Sequence, residues 1–389
     1  MESFNMIFGH LPDPRARRGI RHLWHEILFI AMSAILCGTD DADDMEYWGE
    51  LNEAWLREHL TLPHGIPSHD TFLRIFALVS PSALMSTIKE FVSPLIPEGP
   101  GQISIDGKTA RGSRAGGRKP AHIVSAWLCD VGVTLGQVTT EAKRNEITAI
   151  PTLLASLDIK GETVTIDAMG CQRSISQQIC EQGGHYMLTV KDNQPDLRMQ
   201  LAEAFTDAMD SRVRALDEAP KPVLDIDEAT GKEHGRIETR RCVVMHDLSN
   251  IVLKTPWPGL ATIARLERTR HNVVSGKDND EIVYIIASNP RATAAAINLG
   301  IRRHWQIENN LHWQLDVTFG EDSWTGRVGN IAQNFSLLRK LAIMLLAQQP
   351  VPSRKKRRSA KNKRQACNAD KDFLLQVLSG LQTVSATLR

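Results

Sequence analysis

Long apolar segments are missing from this 389-residue chain, and their absence excludes several protein classes. The longest apolar run, residues 27–38, falls short of the ~20 residues that a membrane-spanning helix needs, so it predicts a buried core helix. The N-terminus lacks the apolar stretch of a secretory signal. The six cysteines are scattered, which argues against a disulfide framework or a zinc knuckle. We therefore expect a globular cytoplasmic protein with reduced thiols and no membrane partner.

A strong excess of one charge occurs only in two short segments. The net charge is +1, but residues 354–364 hold eight Lys or Arg and no acid, which leaves −7 for the remainder. Residues 14–22 form a second basic cluster. A basic run is as readily a solvated or disordered tail as an arm that binds a polyanion, and the two clusters together indicate a nucleic-acid partner. Four positions of the longer run are candidates for DNA contacts: Lys355, Lys356, Arg357 and Arg358.

The pattern of apolar residues divides the chain into three regions. Residues 1–98 contain helical runs on either side of a Gly/Pro break, which predicts either a helix-turn-helix that binds DNA ends or a supporting helical bundle. Residues 99–348 follow the order β-β-β-α-β-α-β, then a polar stretch at 192–232, more strands and a long helix over about 292–315. Residues 349–389 form a basic tail with a C-terminal helix.

This order predicts an α/β fold in which a mixed sheet has helices on its faces and an N-terminal helical domain precedes it. The strands between the second acidic strand and the long helix, at about residues 192–290, are predicted to form a β-rich insertion into that sheet.

Two predicted strands each end at an aspartate. ISIDGKTARG carries Asp106 and TVTIDAMG carries Asp167, each where an apolar residue is expected. A carboxylate buried without a partner is costly, so each needs hydrogen bonds or a cation. A third acid, Glu308, breaks the burial rule on the long helix, where helical spacing predicts one buried face. That face comprises Ile297, Ile301, Trp305, Glu308, His312 and Leu315.

Each acid also has an ordinary explanation. Asp106 and Asp167 could cap turns, given the glycines that follow them, and Glu308 could pair with Arg302 or Arg303. Taken together, however, the three acids favour a centre for hard divalent cations, Mg²⁺ or Mn²⁺, which prefer carboxylate oxygens. Two such ions ~4 Å apart could lie across a scissile phosphodiester.

The motifs around these acids resemble, in order, those of insertion-sequence transposases of the ISAs type, the group that includes the H-repeat-associated proteins within the wider DDE transposases. The matching segments are IDGKTARGS, HIVSAWL, KRNEITAIPTLLASLDIKG, TIDAMGCQ, HGRIETR, RHWQIENNLHWQLDVTFGED and QNFSLLRKLA. The resemblance covers nearly the whole chain. It implies a ribonuclease-H-like catalytic domain with a β-rich insertion before the final glutamate. It also implies that Asp106, Asp167 and Glu308 are the three catalytic, metal-binding acids.

The surroundings of Glu308 depart from the broader insertion-sequence pattern. Related enzymes often carry Arg four residues before the glutamate and Lys seven after it, whereas here these positions hold His304 and Leu315. His304 and His312 flank Glu308 on neighbouring helical turns, so they are either replacement phosphate contacts or packing histidines. A zinc site is not favoured, because there is no HExxH motif and there are no cysteine ligands.

Several other positions follow from the same motifs. Lys108 and Arg111 follow the first aspartate closely, and Arg236 lies in the predicted insertion, so these three are candidates for DNA contacts. Asn309 is expected to orient a ligating carboxylate without binding the ion, and Glu238 is likewise expected to contact the ligands and not the ion. Trp305 and Trp313 are expected in the core rather than stacked on bases.

The resemblance implies a bacterial, nucleoid-associated enzyme that acts on double-stranded DNA. We expect metal-dependent cleavage at the ends of its element, followed by joining of the freed ends to target DNA, and a homo-oligomer because two ends must be held together. A ribonuclease-H-like nuclease without strand transfer and a silent DNA-binding remnant remain the alternatives.

Overall fold

The structure of the protein is a computed structural model, and it describes residues 8–16, 20–113, 120–140, 146–214, 223–233, 236–326, 328–349 and 358–379. The chain divides into two compact units. The helical unit comprises Met1–Glu98, Gly107–Asn145 and Glu308–Arg389. The sheet unit comprises Gly99–Asp106 and Glu146–Ile307.

The N-terminal part of the helical unit is helical, as the sequence predicts. Its helices are α1 (Trp24–Cys37), α2 (Ala42–Leu51), α3 (Glu53–Leu56), α4 (His69–Leu78) and α5 (Pro81–Val92). The apolar run of α1 is buried almost throughout, which confirms a core helix. Proline begins α5, where its missing N–H costs nothing.

Helices α2 and α3 are separated by a single residue, Asn52. The Asn52 side chain donates a hydrogen bond to the Trp48 carbonyl at 2.7 Å. Such a side-chain bond competes with the backbone ladder, so the break has a local cause.

Three more helices end the helical unit: α10 (Ile331–Gln348), α11 (Ala360–Ala369) and α12 (Lys371–Leu378). The basic run is therefore not wholly a solvated tail, because Lys363 and Arg364 of α11 are buried. Lys363 donates to the carbonyls of Leu346 and Gln349, and Arg364 donates to carbonyls that include that of Ile35. These two charges serve the fold.

Among the described residues, no single helix is both long and apolar enough to cross a membrane. Two consecutive helical segments, His69–Leu78 and Pro81–Leu95, reach that length and apolarity only when they are counted together, and they are bent by 93° relative to each other.

The helical unit also contains a β-hairpin, in which β2 (His122–Leu128) and β3 (Val133–Thr140) pair antiparallel. Both are among the first three strands that the sequence predicts. Lys340 of α10 reaches the hairpin and donates to Ser125 Oγ at 2.8 Å and to Gln137 Oε1 at 2.6 Å.

A large mixed sheet forms the sheet unit, as predicted. Its strands are β1 (Gln102–Thr109, of which residues 102–106 lie in this unit), β4 (Thr163–Ile166), β5 (His185–Val190), β6 (Asp225–Glu233), β7 (Arg236–Met245), β8 (Thr262–Asn272) and β9 (Asp278–Ala287). Their order is β1-β4-β5-β9-β8-β7-β6. Strands β1, β4 and β5 are parallel, and the others pair antiparallel.

Four helices belong to the sheet unit: α6 (Glu146–Ala155), α7 (Arg173–Glu181), α8 (Pro195–Arg214) and α9 (Ala294–Gln306). Helix α9 packs on the sheet through Ile297 and Ile301, in a core that includes Leu266 and Ile285. The close approach depends on Gly300, where an added Cβ would lie 2.8 Å from the Met187 methyl carbon. The α/β class is thus confirmed.

Residues 192–232, predicted only as a polar stretch, include a helix and a strand. Helix α8 occupies its first half and buries an apolar stripe at helical spacing that includes Leu197, Leu201 and Phe205. Strand β6 occupies the second half despite its acids, because Asp225 accepts from the Ala294 amide and Asp227 accepts from Asn298 Nδ2, both at 2.7 Å. The acids tie this strand to α9.

The predicted long helix over residues 292–315 changes character part-way. After α9 the chain continues as two π-helical segments, Ile307–His312 and Gln314–Thr318. A π-helix has a wider turn than an α-helix. Of the predicted buried face, Ile297, Ile301, His312 and Leu315 are buried, whereas Trp305 and Glu308 are not. Trp305 and Trp313, expected in the core, are 50% and 52% exposed.

Candidate active site

Two of the predicted acids directly follow the paired segments of neighbouring parallel strands, although β1 itself does not end at Asp106 as predicted but continues to Thr109. In the register of β1 and β4, Ile105 lies opposite Ile166, so Asp106 and Asp167 each follow the last paired residue of their strand. Carboxyl ends of adjacent parallel strands form one edge of a sheet, where open α/β sheets bind their ligands. The sheet unit therefore presents two carboxylates side by side at such an edge.

Asp167 caps the turn that follows its strand. Its Oδ1 accepts hydrogen bonds from the Met169 amide at 3.0 Å and from the Gly170 amide at 3.1 Å. The turn-capping role considered from the sequence is thus confirmed for this residue. The turn is tight, because a Cβ on Gly170 would lie 2.2 Å from Ile166 Cγ2. The carboxylate is consequently held in one place by backbone and core packing.

The charge environment of Asp167 disfavours its ionised form. Burial is the main cause of a raised pKa, and the negative charges of Glu146 and Asp106 raise it further. The amides of Gly170 and Met169 oppose the increase. Carboxylates gathered in this way favour a bound cation, which would lower the cost of keeping them ionised.

Glu146 was missed by the sequence prediction. It is 2% exposed and begins α6, whose Ile150 would lie 3.4 Å from a Cβ on Gly170. An acid at a helix start is ordinary, because it suits the helix dipole, so the pattern gave no reason to select it. The only available signal was its place directly before an apolar helix within the family-like segment KRNEITAIP.

Hydrogen bonds join α9 to the strands that carry the acids. His304 Nδ1 lies 3.1 Å from Thr165 Oγ1, which in turn lies 2.9 Å from Ser104 Oγ. Gln102 Nε2 donates to the Gly300 carbonyl at 2.8 Å. His304 is therefore part of a polar network within the sheet unit, and its predicted contact with phosphate stays a prediction.

Glu308 is exposed, so its predicted position on a buried helix face is wrong. Its side chain is 57% exposed and its Oε2 lies 3.2 Å from Nδ1 of His312, which is buried. Glu308 lies in the first turn of the π-helical segment, and the residue before it, Ile307, is buried instead. Asp106 and Asp167 belong to the sheet unit and Glu308 to the helical unit. Assembly of all three acids into one centre stays a prediction.

Lys108 is held inside the helical unit by carboxylates. Its ammonium lies 2.6 Å from Asp316, 2.9 Å from Glu321 and 3.3 Å from Asp322, and only 9% of the side chain is exposed. Burial opposes the charge, but these acids, led by Glu321, raise the pKa of Lys108 to about 12. Arg111, by contrast, has an 81% exposed side chain near Asp322.

The remaining predicted residues occupy varied surfaces. Arg236 and Asn309 are exposed, and Arg358 is half-buried. Glu238 accepts a hydrogen bond from Arg270 Nε at 2.7 Å within the sheet unit. The other three candidates for DNA contacts in the basic run lie outside the described residues: Lys355, Lys356 and Arg357.

A second group of metal-type ligands lies in the helical unit. Asp43, Glu46 and His69 approach one another closely enough to share an ion. His69 Nδ1 already lies 2.6 Å from Glu46 Oε2, and this hydrogen bond raises the pKa of His69. The group is therefore satisfied as an exposed ion pair.

Comparison with known proteins gives matches over nearly the whole chain. A family model described as "Transposase DDE domain" matches residues 97–345, and one described as "DDE_Tnp_1-associated" matches residues 6–92. The protein named "H repeat-associated putative transposase YhhI" of Escherichia coli strain K12 is 34% identical over 377 residues, which are 95% of this chain and 96% of the relative.

Two further relatives extend the likeness. "Putative transposase YncI" of Escherichia coli O157:H7 is 36% identical over 345 residues, 86% of this chain and 85% of that protein. An uncharacterised protein of Xanthobacter autotrophicus, named for its place in the dhlA 3′ region, is 39% identical over 267 residues, 68% of this chain and 87% of its own.

Proposed function

The chain belongs to the family of transposases with a DDE domain, and from that premise we propose that it cuts DNA at the ends of an insertion-sequence element and joins the freed 3′-hydroxyls to target DNA. The family implies a DNA substrate and a divalent metal ion. The proposal includes a ribonuclease-H-like fold for the catalytic domain. It is carried by one observation, the two aspartates that follow paired positions of adjacent parallel strands.

The donor set suits a hard divalent cation. Asp106 and Asp167 share an edge of the sheet, and Glu146 adds a third carboxylate charge near Asp167. We propose that Asp106, Asp167 and Glu308 together hold Mg²⁺ or Mn²⁺, as two ions. When bound, such ions favour formation of the attacking oxygen nucleophile and stabilise the leaving oxygen of the phosphodiester.

The residues around the acids would fix their geometry. The amides of Met169 and Gly170 hold Oδ1 of Asp167, so its other oxygen keeps a defined direction. His312 contacts the Glu308 carboxylate and would orient it. A ligand held in this way binds its ion without further rearrangement, which is how supporting hydrogen bonds tune a metal site.

DNA contacts are proposed on three surfaces. Residues 1–98 would bind the element ends, and residues 99–348 would form the catalytic domain, with a basic tail from 349 to 389. Exposed Arg111 and Arg236 suit backbone phosphates. We propose the same role for four positions of the basic run: Lys355, Lys356, Arg357 and Arg358. We propose that two copies act together, because strand transfer joins two ends.

The decisive experiment compares wild-type protein with Asp167→Asn on a DNA duplex that carries the flanking element end. We expect Mg²⁺-dependent cleavage by wild type and a loss of at least two orders of magnitude in the variant, since electrostatic groups at a reacting centre are each worth about that much. Asp158→Asn, an exposed aspartate of the same unit, is the matched control and should cleave normally.

The products decide between the candidate functions. Joining of pre-cleaved ends to a target plasmid supports the transposase, whereas cleavage without joining identifies a nuclease. DNA binding that is indifferent to Mg²⁺ and to Asp167→Asn identifies a silent remnant. Mn²⁺ binding measured by calorimetry gives a readout independent of turnover, and equal binding by wild type and Asp167→Asn would contradict the assigned ligand.

A further inference from the structure

Two arginines of the sheet unit lie directly opposite each other. In the antiparallel register of β7 and β8, Arg240 pairs with Arg268, and both side chains are buried, at 4% and 6% exposure. Like charges at directly opposed positions repel, and burial strengthens the repulsion because the dielectric is low. A buried pair of this kind needs a compensating negative charge.

Compensation within the fold is incomplete. Arg240 donates from Nη2 to the Asn298 carbonyl at 3.0 Å. Its Nη1 lies 3.9 Å from Oε1 of Glu238, whose other oxygen, Oε2, accepts from Arg270 Nε at 2.7 Å. Arg268 pairs with Glu281. The Nε atoms of both buried arginines nevertheless have no hydrogen-bond partner in the part of the chain that the structure describes.

Helix α9 contributes a third guanidinium group, that of Arg302. An added Cβ on Gly231 of β6 would lie 3.8 Å from Arg302 Nη1, so this exposed arginine extends over the sheet. Burial lowers the pKa of Arg240, and the positive charges of Arg268 and Arg302 lower it further, against the opposing effect of Glu238. Arg268 and Arg302 thus both act electrostatically on Arg240.

One more side chain of α9 borders this cluster. The Arg268 guanidinium carbon lies 5.9 Å from the ring centroid of Trp305, whose side chain is half exposed. A cation within about 6 Å of an indole face is stabilised by the ring. The positive site therefore has an exposed part, formed by Arg302 and Trp305, and a buried part, formed by Arg240 and Arg268.

The opposite face of strand β7 has no such excess of positive charge. Arg241, the next residue of β7, points to the opposite side, where it lies 3.1 Å from Glu228 and 3.7 Å from Glu267. On the face of Arg241, an arginine lies next to acids, which is an ordinary cross-strand arrangement. On the face of Arg240, two arginines lie opposite each other, and this leaves positive charge for an external anion.

We infer that Arg302 and Trp305, above the buried pair Arg240 and Arg268, form a site for one phosphodiester group of the DNA backbone. Planar guanidinium groups bind phosphate oxygens in a fork geometry, and a phosphate placed there relieves the repulsion between the arginines. Arg302 makes the contact, while the buried pair supplies the positive field. The site rests on the proposed DNA substrate and adds a position on the antiparallel half of the sheet.

The test measures binding of a short fluorescent duplex of arbitrary sequence in EDTA, so that no cleavage is required. Each phosphate contact contributes about 0.9 to the slope of log K against log salt. Arg302→Gln should lower the slope by about 0.9, so that its affinity falls about 3.5-fold less than that of wild type between about 50 and 200 mM salt. Arg302→Lys should keep the wild-type slope.

Arg241→Gln is the matched control, since it removes the same charge one residue away from Arg240 on the opposite face, and its slope should stay unchanged. An unchanged slope in Arg302→Gln, or an equal decrease in both glutamine variants, overturns the site while leaving DNA binding intact. A wild-type protein that binds no duplex overturns the proposed substrate itself, and the site with it.

Discussion

The buried ammonium of Lys340 predicts that stability rises with pH. Lys340 is 4% exposed and donates to Ser125 and Gln137 of the hairpin. Burial lowers its pKa from 10.5 to about 8, with Glu321 opposing and Lys108 reinforcing the decrease. The folded protein therefore releases a proton in a range where the unfolded chain still holds it.

The sign and size follow from proton linkage. Between about pH 8 and pH 10.5 the unfolded state binds more protons at Lys340, so the free energy of unfolding rises with pH. One pKa unit corresponds to about 1.4 kcal/mol, so the complete effect is about 3 kcal/mol. About 1 kcal/mol of it should appear between about pH 7 and pH 9. Lys108, with its pKa raised to about 12, titrates above this window.

Urea unfolding of wild type and Lys340→Met across that range isolates the effect, because other titrations are common to both proteins. We expect the stability of wild type, relative to the variant, to increase by about 1 kcal/mol toward pH 9. Lys361→Met, at an exposed position of α11, should run parallel to wild type. A difference between wild type and Lys340→Met that is constant or shrinks with rising pH would refute the reasoning.

Two further predictions concern the turn that holds Asp167. Gly170→Ala places a methyl group 2.2 Å from Ile166 Cγ2 and should lower the free energy of unfolding in urea by about 1–3 kcal/mol. Gly231→Ala is the control, because its nearest atom would be 3.8 Å away, and it should lower that free energy clearly less. Equal losses in the two variants would contradict the packing argument. Glu146→Gln removes a negative charge that raises the pKa of Asp167, so the pH midpoint of Mn²⁺ binding should move to lower pH, and an unmoved midpoint in calorimetry would contradict that coupling.

The sheet edge could be predicted because its signals are local. Asp106 and Asp167 each interrupt a β-branched or apolar strand pattern, and a parallel pair of such strands aligns their ends. The strands β7, β8 and β9 were also predicted from their composition. Strand β6 was not, because its acids look solvent-facing in sequence, and their partners on α9 lie about seventy residues further along the chain.

The face of the helix at Glu308 could not be predicted from periodicity. A pattern of 3.6 residues per turn correctly assigns His312 and Leu315 to the buried face, but it is wrong for Trp305 in the last turn of α9 and for Glu308 in the π-helical segment. π-helical segments inside longer helices are rare and frequently occur at functional sites. The irregularity at Ile307–His312 is therefore consistent with the metal-binding role that we propose for Glu308.

Charge in the sequence identified basic residues but not what they bind. Lys363 and Arg364 look like part of a polyanion-binding arm, yet they donate to internal carbonyl groups. Arg240 and Arg268, which the sequence did not single out, lie directly opposite each other, and their Nε atoms have no hydrogen-bond partner among the described residues. A basic residue therefore indicates a DNA contact when its positive charge exceeds what neighbouring acids and carbonyls offset, and strand register decides that balance. The predicted salt slope of Arg302→Gln tests this criterion directly.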